Sequence, residues 1–387
     1  MNNLNQIIGY ESVKKELNVL IDRLNNKEKY MAMGVEKMPH TIFIGPPGVG
    51  KTLICKCLMD SLNRKKYILR KTIADGEFVK KIKETFDDAK ENAPAVLLLD
   101  DIDKFSNGDD DHPNTDEFAT IQSCIDDIGD ADVFVVATVN NPRVLPNSLL
   151  RSQRLGNRIY IDTPNLKDSA KIIEHYIKKI KMIDGDIDYK LLAQILEGES
   201  CAKLETVINQ AATMAAYNNK TNVNMDDLIC ACLKEMYGVP DNDNTKSKEQ
   251  MRRIAIHECG HCLISELLQP GSVSLVSINS SDQSNAAGGI TVITKPDDYF
   301  YKKSYMEDRI TMLLAGKAAT ELILGEVDTG ANDDIHRAFD IAERFSDHYC
   351  GYGFTNWQDG WTSQDTSRRK EQSIMQDVEK LYQRAKT

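Results

Sequence analysis

The sequence has no apolar run long enough to cross a bilayer. Its longest, AVLLL and VFVVATV, are strand-sized and fall short of the roughly 20 residues that a spanning helix needs. No membrane span is therefore expected in this chain. The opening MNNLNQIIGY has neither a basic start nor an apolar centre, so it carries no secretory signal. Positive charge is in deficit too. With 48 Lys and Arg against 59 Asp and Glu the formal net charge is −11, which argues against the basic footprint a nucleic-acid surface needs. Cysteine is modest at nine residues, an odd number that points to reduced thiols and a cytoplasmic location. Internal repeats are missing. What remains is an acidic chain of 387 residues, long enough for two or three cores.

The first half alternates short β-rich runs with amphipathic stretches. TIFIG (41–45), KYILRKT (66–72), AVLLLD (95–100), DVFVVATV (132–139) and NRIYID (157–162) read as strands. Several are apolar on consecutive residues, as in a parallel sheet covered on both faces. Helical patterns such as EFVKKIKETFDDAKEN (77–92) separate them, which predicts an α/β domain. Four helical segments follow, at 168–183, 188–197, 202–217 and 224–236. The polar run 238–250 reads as a linker. Beyond it the pattern is mostly helical, with one strand hairpin around 274–296. The acidic stretch 107–117 reads as a solvated loop.

GPPGVGKT matches G-x-x-x-x-G-K-[ST] in full: Gly45, Pro46, Pro47, Gly48, Val49, Gly50, Lys51, Thr52. It follows a strand and opens a helical run, so backbone N–H groups and the helix N-terminus can cradle phosphates. Lys51 is expected on the β- and γ-phosphates of ATP and Thr52 on Mg²⁺. Asp100, at the end of the AVLLLD strand, suits the Mg²⁺ shell, and Asp101 suits orientation of the attacking water. Asn140 in ATVNNP can polarise the same water. Arg151 and Arg154 in LLRSQR make sense as arginine fingers reaching a neighbouring subunit, which implies a ring.

Residues 255–264, AIHECGHCLI, fit two chemistries. His257 and His261 are four apart, about 40° on a helix, so they share a face and can hold Zn²⁺. Glu258 lies beside the open coordination position and can take a proton from water there, whose pKa zinc lowers to about 7. The longer H-E-x-x-H-x-x-G-x-x-H form is excluded, because Ile264 and Leu267 stand at its last two places. The third ligand must come from elsewhere, with Glu321, Asp333, Asp334 and His336 as candidates. Cys259 and Cys262 also fit C-x-x-C, but no second C-x-x-C completes a thiolate site and small apolar packing explains them as well.

In order and spacing, IIGYESVKKEL, GPPGVGKT, LLLDDID, ATVNNP and LLRSQR resemble an AAA+ ATPase domain, and the block around 200–218 resembles its helical lid. With the H-E-x-x-H helix, AGKAATELILG (315–325) and DTGANDDIHRAFDIAERF (328–345) behind it, the chain is similar to ATP-dependent zinc metalloproteases of the FtsH type. The resemblance implies Ile8 and Gly9 near the adenine, a homohexamer, polypeptide substrates, and Asp334 as third zinc ligand with Glu321 as an outer partner. It also implies that 288–296 is an edge strand for extended substrate. The expected divisions are an ATPase domain at 1–165, a lid at 166–238, a linker at 239–250 and a metallopeptidase domain at 251–387.

Three departures stand out. Asp101 replaces the usual glutamate, so modest ATP hydrolysis is expected. The membrane helices typical of the family are not seen, which reads either as a soluble variant or as part of a longer chain. The stretch 70–86 has no aromatic–aliphatic–glycine pore triplet, Phe78 being its nearest aromatic. The rival reading is a non-proteolytic remodelling or switch ATPase with a scaffold C-terminal domain.

Overall fold

Ala95–Leu99, five apolar residues in a row, need cover on both faces, and all five are buried. The computed structural model describes residues 3–35, 40–71, 77–105, 116–180, 183, 185–239, 246–279, 288–294, 301–350 and 364–387. These divide into two compact units, Met1–Ile183 with Leu196–Asn209, and Asp184–Ile195 with Gln210–Thr387.

The first unit begins with α1 (Glu11–Asn25) and α2 (Lys27–Met31). Then β1 (Thr41–Ile44), α3 (Lys51–Asp60), β2 (Lys65–Leu69), α4 (Phe78–Glu91) and β3 (Ala95–Leu99) alternate. They are followed by α5 (Asp116–Asp126), β4 (Val133–Val139), β5 (Asn157–Tyr160) and α6 (Leu166–Ile177). All five strands pair in parallel, in the order β2-β3-β4-β1-β5. Alternation along each strand sorts the core. Val96, Leu98 and Val136 pack with Leu17 of α1 and Leu58 of α3. Leu97, Leu99 and Val135 pack on the opposite face with Ile82 of α4 and Ile121 of α5. Because the strands run parallel, their carboxyl ends share one edge, where open α/β sheets hold ligands.

Phe78 is a core residue, 4% exposed and packed edge-on against Phe105 with centroids 5.0 Å apart. It is not a pore aromatic. Of the stretch expected to form the pore loop, 72–76 lie outside the described residues. So do most of the acidic stretch, at 107–115, residues 240–245 of the linker and 295–296 of the edge segment.

The four expected helical segments form α6, α7 (Tyr189–Ile195), α8 (Cys201–Tyr217) and α9 (Met225–Tyr237). The second unit continues with α10 (Lys248–Leu268), whose first turn is held by a capping box between Ser247 and Gln250. An antiparallel hairpin follows, β6 (Val273–Ser277) and β7 (Ile290–Ile293). Three helices complete the unit: α11 (Lys303–Leu324), α12 (Asn332–Tyr349) and α13 (Gln364–Lys386). Leu314 and Ala318 of α11, Ala338 and Ala342 of α12, and Val378 and Leu381 of α13 share its core. Among the described residues no helix is long and apolar enough to cross a membrane.

Candidate active sites

At the carboxyl edge of the parallel sheet, Gly45–Gly50 link β1 to the N-terminus of α3. Gly45 admits no side chain, since a Cβ there would lie 1.9 Å from the Ile161 carbonyl oxygen. A cavity of about 510 Å³ opens against Pro47–Thr52, walled also by Ile8, Tyr10, Tyr176, Cys201 and Asn140. That volume suits a nucleotide-sized ligand. Ile8 lines it. Gly9 does not, and instead sits in a left-handed turn (φ +71°) packed on Asp168.

The expected phosphate-site residues do meet. Lys51 Nζ donates to the carbonyls of Gly45 (2.8 Å) and Pro46 (2.7 Å) and to Asn140 Oδ1 (2.8 Å). Burial pushes the Lys51 ammonium below its ordinary pKa, against the opposing pull of Asp101, Asp103 and Asp100. Asp100, 2% exposed, accepts from Thr52 Oγ1 and Thr138 Oγ1 on Oδ1, both at 2.9 Å. Its Oδ2 pairs with Arg70 at 2.7 Å. Asp101 lines the cavity in a left-handed conformation (φ +55°), with Lys104 Nζ 2.8 Å from its Oδ2. Asn140 Nδ2 donates to Asp103 Oδ2 at 3.1 Å, so its amide is held from both sides. The two arginines stand apart from this group. Arg154 grips both oxygens of Asp126, at 2.9 and 2.6 Å, and Arg151 is exposed; neither lines the cavity.

The second site is built on α10, which presents His257 and His261 on one buried face as the spacing predicts. Their Nε2 atoms are 3.0 Å apart, and each lies 3.1 Å from Oδ2 of Asp334, in the first turn of α12. Two imidazole nitrogens and a carboxylate thus converge from segments more than 70 residues apart. Tetrahedral ligands about 2.0–2.1 Å from zinc are about 3.3–3.4 Å from one another, so the triad fits a small divalent ion. His261 Nδ1 lies 2.7 Å from the Met312 carbonyl oxygen. A carbonyl only accepts, so Nδ1 carries a proton, which leaves the Nε2 lone pair available to a metal whenever His261 is neutral. Burial opposes the Asp334 charge, yet the hydrogen bonds from His257 and His261 prevail and hold its carboxyl well below the usual range.

Glu258 is buried beside the pair. Burial raises its pKa, while a 2.6 Å hydrogen bond from Thr291 Oγ1 on β7 favours the carboxylate. The other third-ligand candidates point elsewhere. Asp333 and His336 are exposed. Glu321 binds Lys317 (3.2 Å), Lys386 (2.6 Å) and Tyr382, so it is not the outer partner of a metal ligand that the resemblance implied. Its position on α11 turns it toward α13. Cys259 and Cys262 are free thiols, Cys259 exposed.

Three contributors were missed at the sequence level. Thr291 holds Glu258, the Met312 carbonyl orients His261, and Gly316 of α11 leaves room for both histidines. A Cβ on Gly316 would lie 2.4 Å from His261 Nε2 and 2.5 Å from His257 Cε1. Only AGKAATELILG, already singled out, could have pointed to Gly316.

Residues 41–163 match the ATPase family associated with various cellular activities (AAA), and residues 244–387 match peptidase family M41. Along most of its length the chain is similar to curated relatives. It is 30% identical over 362 residues to ATP-dependent zinc metalloprotease FtsH 4 of Synechocystis sp., covering 89% of this chain and 56% of that protein. It is 29% identical over 361 residues to ATP-dependent zinc metalloprotease FtsH of Helicobacter felis, with coverages of 89% and 56%. To FtsH 2 of Thermoanaerobacter sp. it is 28% identical over 361 residues, with coverages of 90% and 69%. The chain thus spans little more than half the length of the first two.

Proposed function

We propose, for a chain that belongs to the FtsH-type family of AAA ATPases joined to an M41 peptidase, an ATP-dependent zinc endopeptidase activity on unfolded or loosely folded polypeptides. The observation that carries this reading is the convergence of His257, His261 and Asp334 within hydrogen-bond distance of one another, with buried Glu258 alongside. A scaffold domain has no use for such a cluster, which weighs against the non-proteolytic alternative.

His257, His261 and Asp334 would hold Zn²⁺, which when bound lowers the pKa of water to about 7 and polarises a peptide carbonyl. Glu258 acts as general base, its Oε1 or Oε2 taking the proton of the attacking water and returning it to the leaving amine. Its raised pKa suits both transfers. Thr291 fixes the carboxylate from β7, the strand that would align extended substrate through its backbone with little regard for sequence.

In the other unit Lys51, Thr52 and Asp100 would hold the phosphates and Mg²⁺ of ATP, with Asp101 and Asn140 on the attacking water. Arg151, exposed, is free to reach a neighbouring subunit, whereas Arg154 must first leave Asp126 to do the same. This use of arginine in trans supports a ring in which hydrolysis drives or gates substrate entry, and the family resemblance supports a homohexamer. The nine free thiols suit a cytoplasmic setting. We assign 1–165 to the ATPase domain, 166–238 to the lid, 239–250 to the linker and 251–387 to the peptidase domain.

The test is casein degradation with and without ATP. Glu258→Gln is expected to reduce cleavage by about 10²–10⁴-fold while leaving ATP hydrolysis intact. Undiminished cleavage by that variant would remove Glu258 from the mechanism.

A further inference from the structure

Arg70, at the carboxyl end of β2, is part of no motif that identified the nucleotide site, yet its guanidinium lies on that site's central carboxylate. It is 2.7 Å from Asp100 Oδ2 and 3.7 Å from Asp101 Oδ2. Asp100 Oδ1 is taken by the hydroxyls of Thr52 and Thr138. Both oxygens of a carboxylate that is 2% exposed are therefore already engaged, one by a full positive charge. The backbone that carries the guanidinium is held at its neighbour. Lys71 is tied to Glu117 at 2.8 Å, with side chains only 5% and 11% exposed, so the chain at 70–71 cannot swing freely.

A magnesium ion on Asp100 must share this carboxylate with Arg70 or displace it. Mg²⁺ needs near-ideal octahedral geometry and relies on one or two carboxylates plus substrate phosphates. It cannot relax around a neighbouring cation as readily as a larger ion could. In return, the guanidinium offsets the charge of Asp100, and part of that of Asp101, easing the approach of an anionic nucleotide.

We propose that Arg70 is a built-in counter-ion that competes with Mg²⁺ for Asp100, making nucleotide binding by this chain less dependent on Mg²⁺ than the pocket alone would make it. The inference rests on reading Gly45–Thr52 with Asp100 as the nucleotide site. Arg70 is a positioning residue here, acting through Asp100.

The test is a Mg²⁺ titration of the affinity of the full chain for a non-hydrolysable ATP analogue, followed by fluorescence, so that turnover plays no part. Arg70→Gln is expected to lower the Mg²⁺ concentration for half-maximal tightening by about tenfold, a value reduced from the unscreened figure because the guanidinium is half exposed. The same variant is expected to bind the analogue more weakly in excess EDTA. Arg70→Lys, which keeps the charge, is expected to stay near wild type in both. An unchanged half-point in Arg70→Gln, or Arg70→Lys behaving like it, overturns the proposal while leaving the nucleotide site in place. No analogue binding by the wild type at any Mg²⁺ concentration overturns the nucleotide site and the proposal with it.

Discussion

Gly316 offers the two imidazoles a hydrogen where any other residue would offer carbon. A Cβ 2.4 Å from His261 Nε2 must push the ring away or part α11 from α10. Gly316→Ala is therefore expected to weaken zinc retention by about 10–100-fold, the range typical of disturbing the groups around metal ligands. Zinc per chain after dialysis against a weak chelator checks this, and ATP hydrolysis should be unaffected. The histidine pair was legible in the sequence because a spacing of four fixes a shared helix face. Asp334 was not, since its approach depends on how α12 meets α10, and only the family resemblance selected it among four candidates. Thr291 and Gly316 left no trace in any spacing: one acts by a cross-element hydrogen bond, the other by lacking a side chain.

Helices and strands were legible where local chemistry is unambiguous. Ala95–Leu99 and Val133–Val139 read as strands because fully apolar runs of that length fit a doubly covered sheet. The start of α10 is marked by Ser247 and Gln250, whose side chains cap each other's backbone N–H. How α13 docks on α11 was not legible. Its polar anchor is Glu321, which binds Lys386, Tyr382 and Lys317. Those hydrogen bonds lower the Glu321 pKa to about 2, against about 4.3 unfolded. The sign follows. The stabilisation is fully present above the unfolded value and disappears as pH falls through the folded one. Glu321→Gln is accordingly expected to lower Tm at pH 7, with the gap from wild type starting to close below about pH 4.5. Thermal melts of both proteins across pH test it, and a gap independent of pH would mean that the anchor is not ionic.

In the molecule as a whole the two chemistries occupy different compact units: the phosphate loop and its carboxylates in the first, the histidine–aspartate cluster in the second. The α/β class of the first unit and the helical character of the second were evident from the hydrophobic pattern. The division of the helical stretch after Asp168 was not, because Leu196–Asn209 groups with the first unit while Asp184–Ile195 groups with the second. The most direct measurement is the zinc content of the purified full chain beside its Asp334→Asn variant. About one zinc per chain in the wild type, and a large loss in a variant that still folds and still binds nucleotide, is the predicted result. Equal zinc in the two proteins, or none in the wild type, would contradict a metal centre joined by His257, His261 and Asp334.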